Sequence, residues 1–147
     1  VQIRPARLED AEAVFGLLGQ LATSFEPDRA AFDRTFSDIF QAAGAQTSTT
    51  TETMLLVAED DDGAVRGYAL TSIVPLLYTN GPAAQIHELV IDESARGQHL
   101  GSQLVHAIEQ ECLSRGVRQL TVASRRAAGF YDRLGYHSTA EFLKRTF

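Results

Sequence analysis

Cysteine is nearly missing from this chain: Cys112 is the only one among 147 residues. One thiol cannot close an internal disulfide, so nothing of that kind braces the fold, and the chain fits a reducing cytoplasm. Long apolar runs are missing too. None approaches the roughly 20 residues of a membrane helix, and the opening VQIRPARLED lacks signal-peptide architecture. Positive charge is short: 13 Lys and Arg stand against 19 Asp and Glu, a net charge of −6. That balance argues against nucleic acid as the main partner and is compatible with a cationic substrate. There is no internal repeat, and the pattern assigns no metal ligands. Low complexity is confined to residues 43–53 (AGAQTSTTTET), where a lid over a substrate and a plain solvated loop both remain open readings. What remains is ordinary globular composition, 44% apolar and 22% charged. At this length it is read as one domain, 1–147, able to bury a sizeable core.

The most informative stretch is 86–116, IHELVIDESARGQHLGSQLVHAIEQECLSRG. Residues 86–91 form a short apolar run with β-branched Ile86, Val90 and Ile91, as in a strand covered on both faces. Asp92, Glu93 and Ser94 break the run. After Arg96, Gly97, Gln98, His99, Leu100 and Gly101, the residues Leu100, Leu104, Ile108 and Cys112 recur every fourth position, which is one face of a helix. Gly116 ends it, with Arg115 in its last turn. A strand running through a glycine turn into a helix N-terminus is suited to an anion, because the first helical N–H groups lack partners and carry the positive end of the dipole. A plain turn explains the same glycines equally well.

The flanking chain supplies the rest of a mixed fold. Residues 1–5 alternate as a first strand, and Asp10 opens a helix bearing Ala11, Val14, Leu17, Leu18 and Leu21. Pro27 is placed to open a second helix with the aromatic stripe Phe32, Phe36, Ile39 and Phe40. Strands are expected at 54–58 and 65–77, joined by a turn at Asp62-Gly63, and again at 118–123. A short helix from Ser124 to Gly135 and a closing strand at 137–147 complete the order β-α-α-β-β-β-α-β-α-β, an α/β domain with a mixed central sheet and helices on both faces.

Two segments carry a family resemblance. Arg96-Gly97-Gln98-His99-Leu100-Gly101 after Glu88-Leu89-Val90-Ile91 resembles the acetyl-CoA loop of the GCN5-related N-acetyltransferase (GNAT) superfamily, Arg/Gln-x-x-Gly-x-Gly/Ala, with His99 in place of the inner glycine. Ala127-Ala128-Gly129-Phe130-Tyr131-Asp132-Arg133-Leu134-Gly135-Tyr136 is similar to that family's second signature. The resemblance implies acetyl-CoA as cosubstrate, lying where two parallel strands splay apart. It implies diphosphate contacts from Arg96, Gly97, Gln98, His99, Leu100, Gly101 and Ser102, and pantetheine pairing along Leu89, Val90 and Ile91. Ser124, Ala127 and Phe130 belong to the same cofactor site, Ser124 standing where relatives carry an asparagine.

An amine with a pKa near 10 has to lose a proton before it attacks a thioester, and the leaving thiolate gains from an acid. Glu88, a carboxylate in an apolar strand, is read as the base, against the alternative of a structural ion pair. Strict alternation turns its neighbour His87 to the opposite face. Tyr131 matches the family's general acid, against the alternative of a core tyrosine, and Tyr136 is read as packing. Cys112 has no basic partner and is read as core. The expected activity is direct acetyl transfer to a primary amine, of a small molecule in preference to a protein, in the cytoplasm and away from membranes. A homodimer is expected by analogy alone. The alternatives are a protein lysine or N-terminal acetyltransferase, and a non-catalytic acyl-CoA-binding module, which His99 and Ser124 favour and Glu88 with Tyr131 opposes.

Overall fold

The computed structural model describes residues 1–21, 25–44, 51–124 and 128–147. Five strands form one sheet in the order β1-β2-β3-β4-β5: β1 (Gln2–Pro5), β2 (Glu52–Glu59), β3 (Val65–Leu76), β4 (Gly81–Ile91) and β5 (Gln119–Val122). The first four are antiparallel to their neighbours, and β5 runs parallel to β4. Helices α1 (Ala11–Leu21) and α2 (Arg29–Gly44) lie on one face, and α3 (Leu100–Ser114) lies on the other. Helix α4 (Ala128–Arg133) packs Tyr131 into the α3 side.

Alternation along β2 sorts the two cores. Met54, Leu56 and Ala58 meet Leu104, Val105, Ile108 and Cys112 of α3, while Leu55 and Val57 meet Val14 and Leu17 of α1 and Phe36 of α2. Leu104 and Ile108 are fully buried, each contributing about 1.5–3 kcal/mol relative to exposure. Phe15, Phe32, Phe36 and Phe40 stack in succession with centroids 5.0–5.2 Å apart, which joins α1 to α2. Cys112 is core as expected, and burial pushes its thiol pKa up.

Caps and turns follow the side chains available. The Asp28 carboxylate accepts from the Ala31 N–H and starts α2, one residue after the expected Pro27. Asp10 stands at the helix start as expected: its carboxylate accepts from the Arg7 N–H, capping the short 3-10 turn Leu8–Asp10 that leads into α1 at Ala11, and from both terminal nitrogens of Arg4, a buried pair with side chains 7% and 9% exposed. Asp60 accepts from Asp62 and Ala64 around Gly63, whose φ of +82° suits the hairpin turn.

Three expectations are corrected. Strand β4 begins at Gly81, five residues before the expected run of 86–91, and buried Ala83 and Ala84 lie within its extended pairing with β3. Helix α2 continues to Gly44 and β2 starts at Glu52, so the expected loop of 43–53 is shorter, and its residues 45–50 lie outside the described residues. The closing strand at 137–147 is not formed. That segment makes no ladder with any described strand, and Phe142, Leu143 and Phe147 are 70%, 86% and 102% exposed. Among the described residues no helix is long and apolar enough to cross a membrane.

Candidate active site

The site is organised by one extra residue in β4. Leu70 pairs with Glu88 and the next residue of β3, Thr71, pairs with Ile86, so His87 is bulged out of the ladder. A one-residue slip exchanges faces. Before the bulge, Ala84 and Ile86 point to α3; after it, Leu89 and Ile91 take that side, while Glu88 and Val90 turn to the α1 side. His87 lies on the α1 side too, because its Nε2 is 2.6 Å from the Oγ of Ser72, which shares a β3 face with Tyr68 and Leu70. The expectation that His87 faces away from Glu88 is therefore corrected. Strict alternation fails where a bulge interrupts it.

Glu88 is half-buried, and the hydroxyl of fully buried Tyr68 donates to its Oε1 at 2.6 Å. Burial first, and the carboxylate beside it second, hold the Tyr68 phenol well above its usual range, so it stays a donor. Glu88 and His87 open onto a cleft of about 440 Å³ whose other walls are Leu18, Gly19 and Leu21 of α1 with Phe25 and Pro27 beyond it. Tyr68 and Ser72 were missed in the sequence because the face they share with Glu88 depends on the bulge.

On the other side of β4 the sheet opens. Strand β5 pairs with β4 only from Ala83 to Ile86, through Gln119 to Val122. From His87 to Ile91 that edge of β4 has no strand partner among the described residues, which leaves main-chain groups of Leu89, Val90 and Ile91 facing the gap. Beyond Ile91 the chain turns through Glu93–Ala95 to Arg96, Gly97, Gln98 and His99, all exposed. Gly97 and His99 both take left-handed backbone, φ +82° and +64°, so His99 holds the conformation that favours glycine. His99 is the N-cap of α3 and makes no side-chain capping bond, so the donors of Leu100, Gly101 and Ser102 stay available to an anion. The Ser102 hydroxyl donates back to the His99 carbonyl at 2.9 Å.

The second signature closes on this turn. A Cβ at Gly101 would stand 3.2 Å from the Phe130 ring, so the missing side chain lets α4 approach α3. Tyr131 is 8% exposed, edge-on to Phe130 and Tyr136 with centroids 4.9 and 5.7 Å away, and burial raises its pKa. It stays protonated at neutral pH, as a general acid requires. Tyr136 packs as expected and donates to Glu109 at 2.7 Å. Ser124 is exposed beyond the end of β5, and Ala127 lies outside the described residues.

One tie across the site was not read from sequence. The Gln20 carboxamide of α1 donates to Asp92 at 3.0 Å and accepts from the Glu93 N–H at 3.1 Å, while Arg66 and Ser94 also bond Asp92. It fixes the start of the Arg96–Gly101 turn against α1. Among the described residues no group of three or more His, Cys, Asp or Glu is placed to hold a metal ion.

A family model described as the Acetyltransferase (GNAT) family matches residues 18–136. Glucosamine 6-phosphate N-acetyltransferase 1 of Oryza sativa subsp. japonica is 29% identical over 139 residues, covering 92% of this chain and 80% of that protein. Glucosamine-6-phosphate N-acetyltransferase from Arabidopsis thaliana superposes with a TM-score of 0.82 at 24% identity, over 99% of this chain and 97% of that one. A transcriptional regulator from Bacillus halodurans C-125 reaches the same TM-score at 25% identity, over 100% and 99% of the two chains. The mixed sheet, its opening between β4 and β5, and the match across 18–136 lead to one assignment: this chain belongs to the GNAT family of acetyltransferases.

Proposed function

We propose that this acetyltransferase takes its acetyl group from acetyl-CoA, the donor used across its family, and passes it directly to the primary amine of a small molecule. The observation that carries this reading is the bulge, which sets Glu88 on a cleft at one face of β4, while the strand's free edge borders the gap left by β5. The residues fit the cosubstrate. Leu89, Val90 and Ile91 offer an unpaired strand edge to an amide-bearing arm. The uncapped start of α3 offers N–H groups to a diphosphate, with Arg96, Gly97, Gln98, His99, Leu100, Gly101 and Ser102 around it. In this reading Ser124, exposed just past the end of β5, and Phe130, packed against Gly101 at the start of α3, belong to the same cofactor site.

In this reading Glu88 removes the ammonium proton, directly or through water, and the amine attacks the thioester carbonyl. A main-chain N–H of the free β4 edge stabilises the oxyanion, Tyr131 protonates the departing thiolate, and the second proton of the acylated nitrogen returns to Tyr131, so one proton is released net, through Glu88. A small acceptor is preferred over a protein chain because the cleft, about 440 Å³, has walls from α1 and from Phe25 and Pro27 beside Glu88. Glucosamine 6-phosphate is the first acceptor to try, on the strength of the rice relative. The test is thiol release from acetyl-CoA with that sugar and a panel of primary amines, repeated with Glu88→Gln. Turnover lost in the variant supports the assignment, and equal turnover removes Glu88 as the base.

The reading extends to a cytoplasmic homodimer. Support comes from the tail at 137–147 with its exposed Phe142, Leu143 and Phe147, and from β5, whose outer edge pairs with no described strand. A chain with an open strand edge and exposed Phe142, Leu143 and Phe147 on its tail is suited to a second copy of itself.

A further inference from the structure

Each acetyl transfer to an ammonium group releases one proton, and the base has to shed it before the next turnover. The cleft beside Glu88 leaves few exits. Leu18, Gly19, Leu21, Phe25 and Pro27 line it and none titrates, while Glu26 lies between the last two without lining it. Tyr68, behind Glu88, keeps its own proton and donates it to Oε1. Among the described residues the remaining titratable lining residue is His87, the bulged residue, which is exposed to solvent.

The geometry points to His87 as the relay that carries this proton from Glu88 to solvent, with Ser72 fixing its tautomer. The inference rests on the reading of Glu88 as base. An ammonium N–H bond breaks as its proton passes to the Glu88 oxygen that Tyr68 does not occupy. The proton moves through water to Nδ1 of His87, and the imidazolium then loses it to buffer, with no change of oxidation state. This route needs the neutral imidazole to hold its proton on Nε2 and donate it to the Ser72 Oγ 2.6 Å away, leaving the Nδ1 lone pair open. An imidazole has one nitrogen to accept a proton and another to release one, which is what a relay requires.

Kinetics and spectroscopy test it separately. With acetyl-CoA and glucosamine 6-phosphate, kcat of the parent should fall on the acid side with a clear break. His87→Gln should lower kcat about 100-fold and abolish that break. Free imidazole should restore His87→Ala in proportion to its neutral form. An unmoved break, or a loss that imidazole leaves unrepaired, overturns the relay. Thermal denaturation should show both variants folded, since His87 is exposed. Nitrogen-15 NMR of the imidazoles, assigned by the signal missing in His87→Gln, should place the neutral proton on Nε2 and lose that preference in Ser72→Ala. A proton on Nδ1 overturns the proposal. Were no amine turned over by the parent, the proposed function would fail by itself, and the tautomer would still decide the geometry at His87.

Discussion

His99 sits where the family pattern has glycine, and the structure gives that substitution a definite cost. Its φ of +64° and ψ of +17° place it in the left-handed region, where an L side chain costs roughly 1–2 kcal/mol. Glycine removes that cost but brings back about 0.5–1 kcal/mol of unfolded-chain entropy. The net expectation for His99→Gly is a stabilisation of about 0.5–1 kcal/mol. A chain of this length loses stability near its midpoint at about 0.3 kcal/mol per degree, so Tm should rise by about 2–3 °C. His99→Ala is the control: it keeps the strain, and since His is better tolerated there than Ala, Tm should be unchanged or slightly lower. Thermal denaturation followed by circular dichroism reads both. A lower Tm in His99→Gly than in the parent would refute the strain argument, and would mean that the imidazole makes a contact worth more than its backbone costs.

Tyr131→Phe should lower kcat while leaving acetyl-CoA affinity nearly intact by calorimetry, and unchanged turnover would remove Tyr131 as the acid. Asp10→Asn breaks a buried pair with Arg4 and should cost about 3 kcal/mol in urea denaturation. The hydrogen bond from Arg4 depresses the Asp10 pKa below 3.8, so its contribution is complete above that value and lost as pH falls through the folded-state pKa. Parent stability should drop in that acid window, and the Asn variant should lack that part of the drop. Phe142→Glu with Leu143→Lys changes two side chains that are 70% and 86% exposed. Light scattering should find the parent dimeric and the double variant monomeric with unchanged Tm, and a monomeric parent would refute the homodimer.

Much of the frame around the candidate site was legible in the sequence. The fourfold recurrence from Leu100 to Cys112 marks the α3 face that is buried, and the Arg96–Gly101 turn lies at its start. Both signatures meet in space through the close approach of Gly101 and Phe130. What stayed hidden depends on register. A bulge leaves no composition signal, so the faces of His87 and Glu88, and the partnership with Tyr68 and Ser72, could not be read from alternation. The Gln20 bridge joins residues 72 and 73 positions apart and has no periodicity to announce it. Residues 137–147 have the composition of a strand, but a strand needs a neighbour, and this chain supplies none among its described residues.

Acetyl-CoA is proposed to enter the opening between β4 and β5, with its diphosphate at the start of α3. Calorimetric titration of acetyl-CoA into the purified protein tests it most directly. The account predicts saturable one-to-one binding in the micromolar range, weakened when Gly101→Ala presses a Cβ toward the Phe130 ring. Absence of binding by the parent and by His99→Gly alike would contradict it.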